Sequence, residues 1–193
     1  MGEIVTDQRS SWVRRISGDR NTAYVKTYEY PGWADRARNL GRFTAPWRRS
    51  RAQRECDAYA WLAAHHFVAP EAYACFERRR LGFVARAVVV TSPLPGLPAD
   101  RLLASLPDAE RRAVAQRIGR LVHRLHALGF RDRNLDLRNL LVQGDAIAKI
   151  DSPRHVLVPP GDREDRLRRE DWSRLTPQLA AFGMHDVARE ARD

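Results

Sequence analysis

The stretch FRDRNLDLRNLLVQGDAIAKID, from Phe130 to Asp151, constrains the fold more tightly than any other part of the chain. Asp132, Asn134, Asp136 and Asn139 crowd together and run directly into Leu140, Leu141 and Val142. Small polar side chains of this kind bond to nearby backbone groups and favour loops over helix interior. The apolar run after them reads as a strand, Gly144-Asp145 as a turn, and the residues up to Asp151 as the returning strand. A hairpin brings the chain back to where it left. Asn139 and Asp151 are therefore expected to end side by side.

The rest of the chain can be read around that loop. Residues 107–128 form the clearest helix, with Pro107 in the first turn and Gly129 just past the end. Its expected apolar stripe is Val114, Ile118, Leu121, Val122, Leu125 and Leu128. Residues 12–17 and 22–28 read as strands joined by a turn at Gly18-Asp19-Arg20-Asn21. Residues 34–49 are arginine-rich and show no clean period. Residues 50–64 read as a helix capped by Ser50, with Cys56, Tyr59, Ala60 and Ala63 on one face. Residues 71–78 and 82–92 read as strands, the second apolar enough to be central. A last helix is expected around 164–182. PLPGLP (93–98) reads as the boundary between an N-terminal lobe, 1–95, and a C-terminal lobe, 96–193, of a single α+β domain.

Composition narrows the function. The chain has 193 residues, 44% of them apolar, which suits a globular fold with its own core. No segment approaches the ~18–20 apolar residues of a membrane span, and the N-terminus lacks the apolar core of a secretory signal. A cytoplasmic location is the expectation, with contact at the inner face of a membrane as a further expectation. Cys56 and Cys75 have neither zinc nor redox spacing and read as reduced thiols. The net charge is +10, and of 34 basic side chains only Lys26 and Lys149 are lysines. The arginines are spread along the whole chain, which counts against a nucleic-acid-binding function. In a chain that uses arginine almost everywhere, a lysine carries information, and Lys26 sits on the second strand of the first hairpin.

The segments YVKTYEYPGW, SRAQRE, VVVTSPLPG, GFRDRNLDLRNLLV and AKIDSPRH, in this order, resemble the Kdo/WaaP lipopolysaccharide kinase family, within the protein-kinase-like fold. The resemblance spans roughly residues 12–175. It implies a two-lobed fold: a small N-terminal β-sheet lobe with one helix, and a reduced helical C-terminal lobe. It also implies ATP and Mg²⁺ as cofactors. Lys26 then matches the phosphate-binding lysine and Glu55 the carboxylate that holds it forward; otherwise Glu55 is a surface residue paired with Arg51. Asn139 and Asp151 match the metal ligands, an oxygen set that suits Mg²⁺. Asp171, in RREDWSRL, matches the residue that braces the catalytic loop.

The family pattern is broken at its centre. The base aspartate belongs five positions before the metal-binding asparagine, where this chain has Asn134. An amide cannot take a proton at neutral pH but can orient a hydroxyl. Asp132 and Asp136 flank it, and either could stand in as the base or simply bond its own loop. No glycine-rich loop precedes Lys26, so backbone amides of ISGDRN are a candidate phosphate grip. After Asp151 comes Ser-Pro-Arg-His instead of Phe-Gly, and the short remainder argues against a protein substrate. The expected activity is transfer of phosphate to a hydroxyl of an acidic sugar or glycolipid, including a lipopolysaccharide core precursor. The alternative is a pseudokinase that binds nucleotide or a partner without turnover.

Overall fold

The computed structural model describes residues 3–8, 11–18, 22–159 and 166–190. The expected turn residues Asp19, Arg20 and Asn21, and the first residues of the last expected helix, lie outside the described residues. The chain divides into two compact units, Met1–Leu94 and Pro95–Asp193.

The first unit is built on a five-stranded antiparallel sheet. Its strands are β1 (Glu3–Gln8), β2 (Ser11–Ser17), β3 (Thr22–Glu29), β4 (Ala72–Arg80) and β5 (Phe83–Thr91), in the order β1-β2-β3-β5-β4. β5 lies between β3 and β4 and buries Val84, Ala87 and Val89, as its apolar run predicts. β1 had no sequence signal. It is an edge strand whose residues 3–5 are exposed, so backbone pairing to β2 holds it without any apolar alternation.

Two helices cross this unit: α1 (Trp33–Arg38) and α2 (Arg51–Ala64). The aperiodic segment 34–49 turns out to hold α1 and a π-helical turn, Leu40–Thr44. It buries Phe43 and Ala45, but much of its anchoring is polar, which hid it from a hydrophobic count. Buried Arg36 donates to the carbonyls of Tyr30 and Pro31, each at 3.1 Å, and its own carbonyl accepts from the Thr44 hydroxyl at 2.6 Å. α2 begins where Ser50 Oγ accepts from the amide of Gln53. Its buried face differs from the expected one. Ala60 and Ala63 are exposed, while Ala52, Glu55, Ala58, Tyr59 and Leu62 are buried. A count of apolar spacing leaves Glu55 out of the face, because its burial depends on polar partners, two of them from another element. Cys56 and Cys75 are free thiols, half-buried against the small core of Tyr28, Tyr30, Ala52, Val84, Ala87 and Val89.

The second unit packs helices against short strands. In order these are β6 (Leu97–Pro98), α3 (Ala99–Ser105), α4 (Asp108–Ala127), β7 (Phe130–Arg131), β8 (Leu140–Gln143), β9 (Ala146–Lys149), β10 (Val156–Leu157), α5 (Arg166–Ala180) and α6 (His185–Glu190). The core joins Val114, Ile118 and Val122 of α4 to Trp172, Leu175 and Leu179 of α5, and to Leu135, Leu137 and Leu140 below the polar loop. Leu128, expected in the apolar stripe, is instead exposed, since it follows the last turn of α4.

Gly129 takes the chain out of α4 at φ +86°, a left-handed conformation that costs glycine nothing. It also leaves room for a neighbour: a Cβ there would stand 2.1 Å from the carbonyl oxygen of Val158. The amide of Val158 donates to the Gly129 carbonyl at 2.9 Å, and β10 pairs with β7. The polar loop therefore starts from a fixed strand. It ends on the β8–β9 hairpin, whose register pairs Leu140 with Lys149 across the Gly144-Asp145 turn.

Candidate active site

In the first unit, Lys26 Nζ donates to Glu55 Oε1 at 3.1 Å. Lys26 and Tyr28 are two apart on β3 and so share one sheet face. Glu55 and Tyr59 are one turn apart on α2. The hydroxyl of Tyr59 donates to Glu55 Oε1 at 2.6 Å, and that of Tyr28 donates to Oε2. Three donors thus hold one carboxylate that is only 2% exposed, which is how a glutamate is kept inside. Lys26, at 16% exposed, still reaches solvent. Arg51 lies over the rings of Tyr28 and Phe43, at 4.5 and 5.4 Å, rather than pairing with Glu55.

In the second unit, one chain of hydrogen bonds ties the loop to the far side of the hairpin. Asn139 Nδ2 donates to the Asn134 carbonyl at 3.1 Å. Asn134 Nδ2 donates to the Asp151 carbonyl at 3.1 Å and to its Oδ2 at 3.2 Å. The amide of Ile150 donates to the Asn139 carbonyl at 3.0 Å. Both acceptors of Asn134 are oxygens, so its amide orientation is dictated by chemistry. That leaves Oδ1 of Asn134 and Oδ1 of Asn139 as acceptors beside the Asp151 carboxylate. Asp151 holds φ +56° and Arg133 φ +57°, both in the left-handed region that a non-glycine residue adopts only under constraint.

The constraint at Arg133 is visible. Buried Asp171, on α5, accepts from the amide of Asp132 at 2.9 Å and from the amide of Arg133 at 2.7 Å. His126 Nε2, from the last turn of α4, lies 3.1 Å from Asp171 Oδ2. The carboxylate thus clamps the loop two residues before Asn134. Beyond the hairpin, His155 stacks on Phe130 with ring centroids 5.2 Å apart and anchors the chain after Asp151.

Asp132 and Asp136 are both already engaged. Asp132 is buried and faces Lys149 Nζ at 3.1 Å, the two side chains being 2% and 0% exposed. Burial pushes its carboxyl up to about 6, opposed by the Lys149 ammonium and reinforced by the Asp171 charge. Asp136 accepts from the Arg138 amide at 2.9 Å and from its guanidinium at 3.0 and 2.8 Å. Those bonds hold its carboxyl below the usual range, which makes it a weak proton acceptor. The buried Lys149–Asp132 pair and the His126–Asp171 contact escaped the sequence reading. The scarcity of lysine that singled out Lys26 applies equally to Lys149. His126 lies beside the apolar face of α4, where a histidine reads as core.

Among the described residues, no group of three or more His, Cys, Asp and Glu side chains gathers to hold a metal. A cation at this loop would rest on Asn139 and Asp151, with its remaining positions filled from outside the protein. That open oxygen set fits Mg²⁺, which keeps waters and phosphates of its own.

A mixed sheet-and-helix chain with a lysine–glutamate pair, a clamped polar loop and a hairpin ending in aspartate has the elements of a protein-kinase-like fold. Residues 5–186 match the family model of the Lipopolysaccharide kinase (Kdo/WaaP) family, and the chain belongs to that family. Among solved structures it is similar to WaaP in complex with acyl carrier protein, with a TM-score of 0.63 and 19% identity, over 98% of this chain and 81% of that one. At that identity the likeness shows the fold. No curated protein matches the sequence.

Proposed function

We propose that this protein transfers a phosphoryl group from ATP, with Mg²⁺, to a hydroxyl of an acidic sugar or glycolipid of the lipopolysaccharide core, working on the cytoplasmic side. Membership in a lipopolysaccharide kinase family supports the reaction class and the acceptor class. The observation that carries the reading is the bonded run Asn139–Asn134–Asp151, since it gathers oxygen donors for a cation at a loop braced by Asp171. Phosphoryl transfer needs positioning and charge stabilisation more than covalent help. Lys26, held by Glu55, takes the nucleotide phosphates. Asn139 and Asp151 take Mg²⁺, which would neutralise charge on the transferring group. Asn134 Oδ1 orients the acceptor hydroxyl. By likeness to WaaP, whose structure contains acyl carrier protein, a carrier-protein partner belongs to this reading. Size-exclusion chromatography with acyl carrier protein tests it.

One observation favours the alternative of a pseudokinase. The residue at the base position cannot ionise, and its amide is occupied by Asp151. Mg²⁺-dependent ATP turnover by purified protein, with and without lipopolysaccharide core acceptors, separates the two. Acceptor-dependent turnover supports the kinase. Tight Mg·ATP binding with no turnover on any acceptor selects the pseudokinase.

A further inference from the structure

Trp47 and Leu81 are 77% and 79% exposed, more than any other large apolar side chain among the described residues. They lie 34 positions apart in sequence, yet one guanidinium joins their turns. Arg79 Nη1 donates to the carbonyls of Pro46 at 2.9 Å and Gly82 at 3.0 Å, and Nη2 to the carbonyl of Arg48 at 3.1 Å. The carbonyls of the residues on both sides of Trp47, and of the residue after Leu81, therefore converge on a single side chain. Gly82 packs so closely on Pro46 that a Cβ would stand 3.3 Å from its Cγ.

The residue choice at the hairpin tip is costly. Leu81 has φ +50° and Gly82 φ +80°. A two-residue turn with both φ values positive favours Asn-Gly or Asp-Gly, and leucine there is strained. It also places an aliphatic side chain in water. Folding of the hairpin gains from neither feature. Trp33, half-exposed, packs edge-on against Phe83, the first residue after that turn, with ring centroids 5.6 Å apart.

The surroundings are cationic. Between Asp35 and Glu55 the sequence carries seven arginines and no acidic residue, and three more arginines immediately precede Leu81. Arg48 beside Trp47 and Arg80 beside Leu81 are both exposed. A rigid tip of tryptophan and leucine flanked by arginines has the chemistry of an interfacial anchor. The apolar side chains enter the headgroup region while the cations meet lipid phosphates. Single-stranded nucleic acid also pairs arginine with aromatic rings, but it stacks on π-faces, and Leu81 offers none.

We propose that the Trp47–Leu81 tip docks this protein on an anionic lipid surface. The inference stands on the first unit alone and does not depend on catalysis. Flotation of the full chain with vesicles of phosphatidylcholine, with and without phosphatidylglycerol, tests it. Binding is expected only with the anionic lipid and should weaken as salt rises. Trp47→Ser should weaken it about tenfold through lost apolar burial, and Arg48→Glu or Arg80→Glu at least roughly fivefold each. Leu81→Asn is the decisive variant. It should raise the melting temperature by relieving the turn while still losing vesicle affinity, a combination that misfolding cannot produce. Absence of binding to anionic vesicles, or unchanged binding in the Trp47→Ser/Leu81→Asn double variant, overturns the proposal. So does Trp47-dependent self-association or RNA binding without vesicle binding.

Discussion

Asn134 donates its side-chain amide to the Asp151 carboxylate at 3.2 Å. A residue that cannot ionise thus holds in place the carboxylate proposed to carry the metal. The bond sets the orientation of both groups, and it changes what a substitution at 134 would do.

Asn134→Asp places a second carboxylate against the first. Without metal the two charges repel, so the melting temperature should fall and one carboxyl should titrate high. With Mg²⁺ the pair gains a ligand, and stabilisation by Mg²⁺ should exceed that of the wild type. If turnover lacks only a base, it should rise by up to ~10²–10⁴-fold. Thermal shift with and without Mg²⁺, followed by steady-state turnover, reads both effects. Normal Mg·ATP binding with unchanged turnover would favour the pseudokinase. Asp136→Asn should leave turnover near wild type, because Arg138 already occupies that carboxylate, and should cost less than about 1 kcal/mol, since asparagine still caps the turn and only the exposed Arg138 pair is lost.

Lys26 and Glu55 should respond unequally. Lys26→Ala leaves Glu55 with two tyrosine hydroxyls and some access to solvent, so the protein should melt close to the wild type. Its affinity for ATP should drop about tenfold or more, since a charged phosphate contact is lost. Glu55→Ala strands two buried tyrosine hydroxyls, at about 1–3 kcal/mol for each unsatisfied group. A fluorescent-nucleotide titration and a denaturant series separate the two variants. Unchanged ATP affinity in folded Lys26→Ala would reduce Lys26 to a structural residue.

Asp151→Asn should cost more Mg²⁺-dependent stabilisation than Asn139→Ala, because it removes a charge as well as a ligand. Nucleotide-induced thermal shifts across a Mg²⁺ titration measure the difference. An intact Mg²⁺-dependent shift in Asp151→Asn would move the metal elsewhere.

The Asp132–Lys149 pair gives a pH signature. The Asp132 carboxyl is raised from 3.8 to about 6 by burial, with Lys149 opposing. Between those values the folded state keeps a proton that the unfolded state has released. The contribution of this group is therefore fully present below 3.8 and is lost as pH rises to about 6. A shift of that size corresponds to on the order of 3 kcal/mol. Lys149→Met removes the opposing cation and raises the Asp132 carboxyl further. Breaking a buried pair in this way should cost about 3–5 kcal/mol near pH 7.5. The cost should shrink near pH 5, where Asp132 can protonate. Urea unfolding at both pH values checks this, and an equal cost at both would remove Asp132 as the cause.

Local pattern determined much of this protein. Helical spacing and end signals located α2 and α4, and the Gly144-Asp145 turn with its apolar flanks fixed the β8–β9 hairpin, because these elements are stabilised by residues close in sequence. The two-residue bridges β7 and β10, the edge strand β1 and the short α1 left no such trace. Backbone pairing or a buried guanidinium holds them, and neither shows in a hydrophobic count. The residue types at 26, 55, 134, 139 and 151 were readable as a candidate set, and the scarcity of lysine drew attention to Lys26.

Tertiary structure decided what each polar group touches. Glu55 lies inside because donors 27, 29 and 4 residues away satisfy it. Asp132 is occupied because β9 brings Lys149 beneath it, and Asn134 faces Asp151 because the hairpin returns there. A charged or amide side chain has no preferred burial of its own. Its environment depends on which distant donors and acceptors the fold delivers, and that information lies in no local window of the sequence.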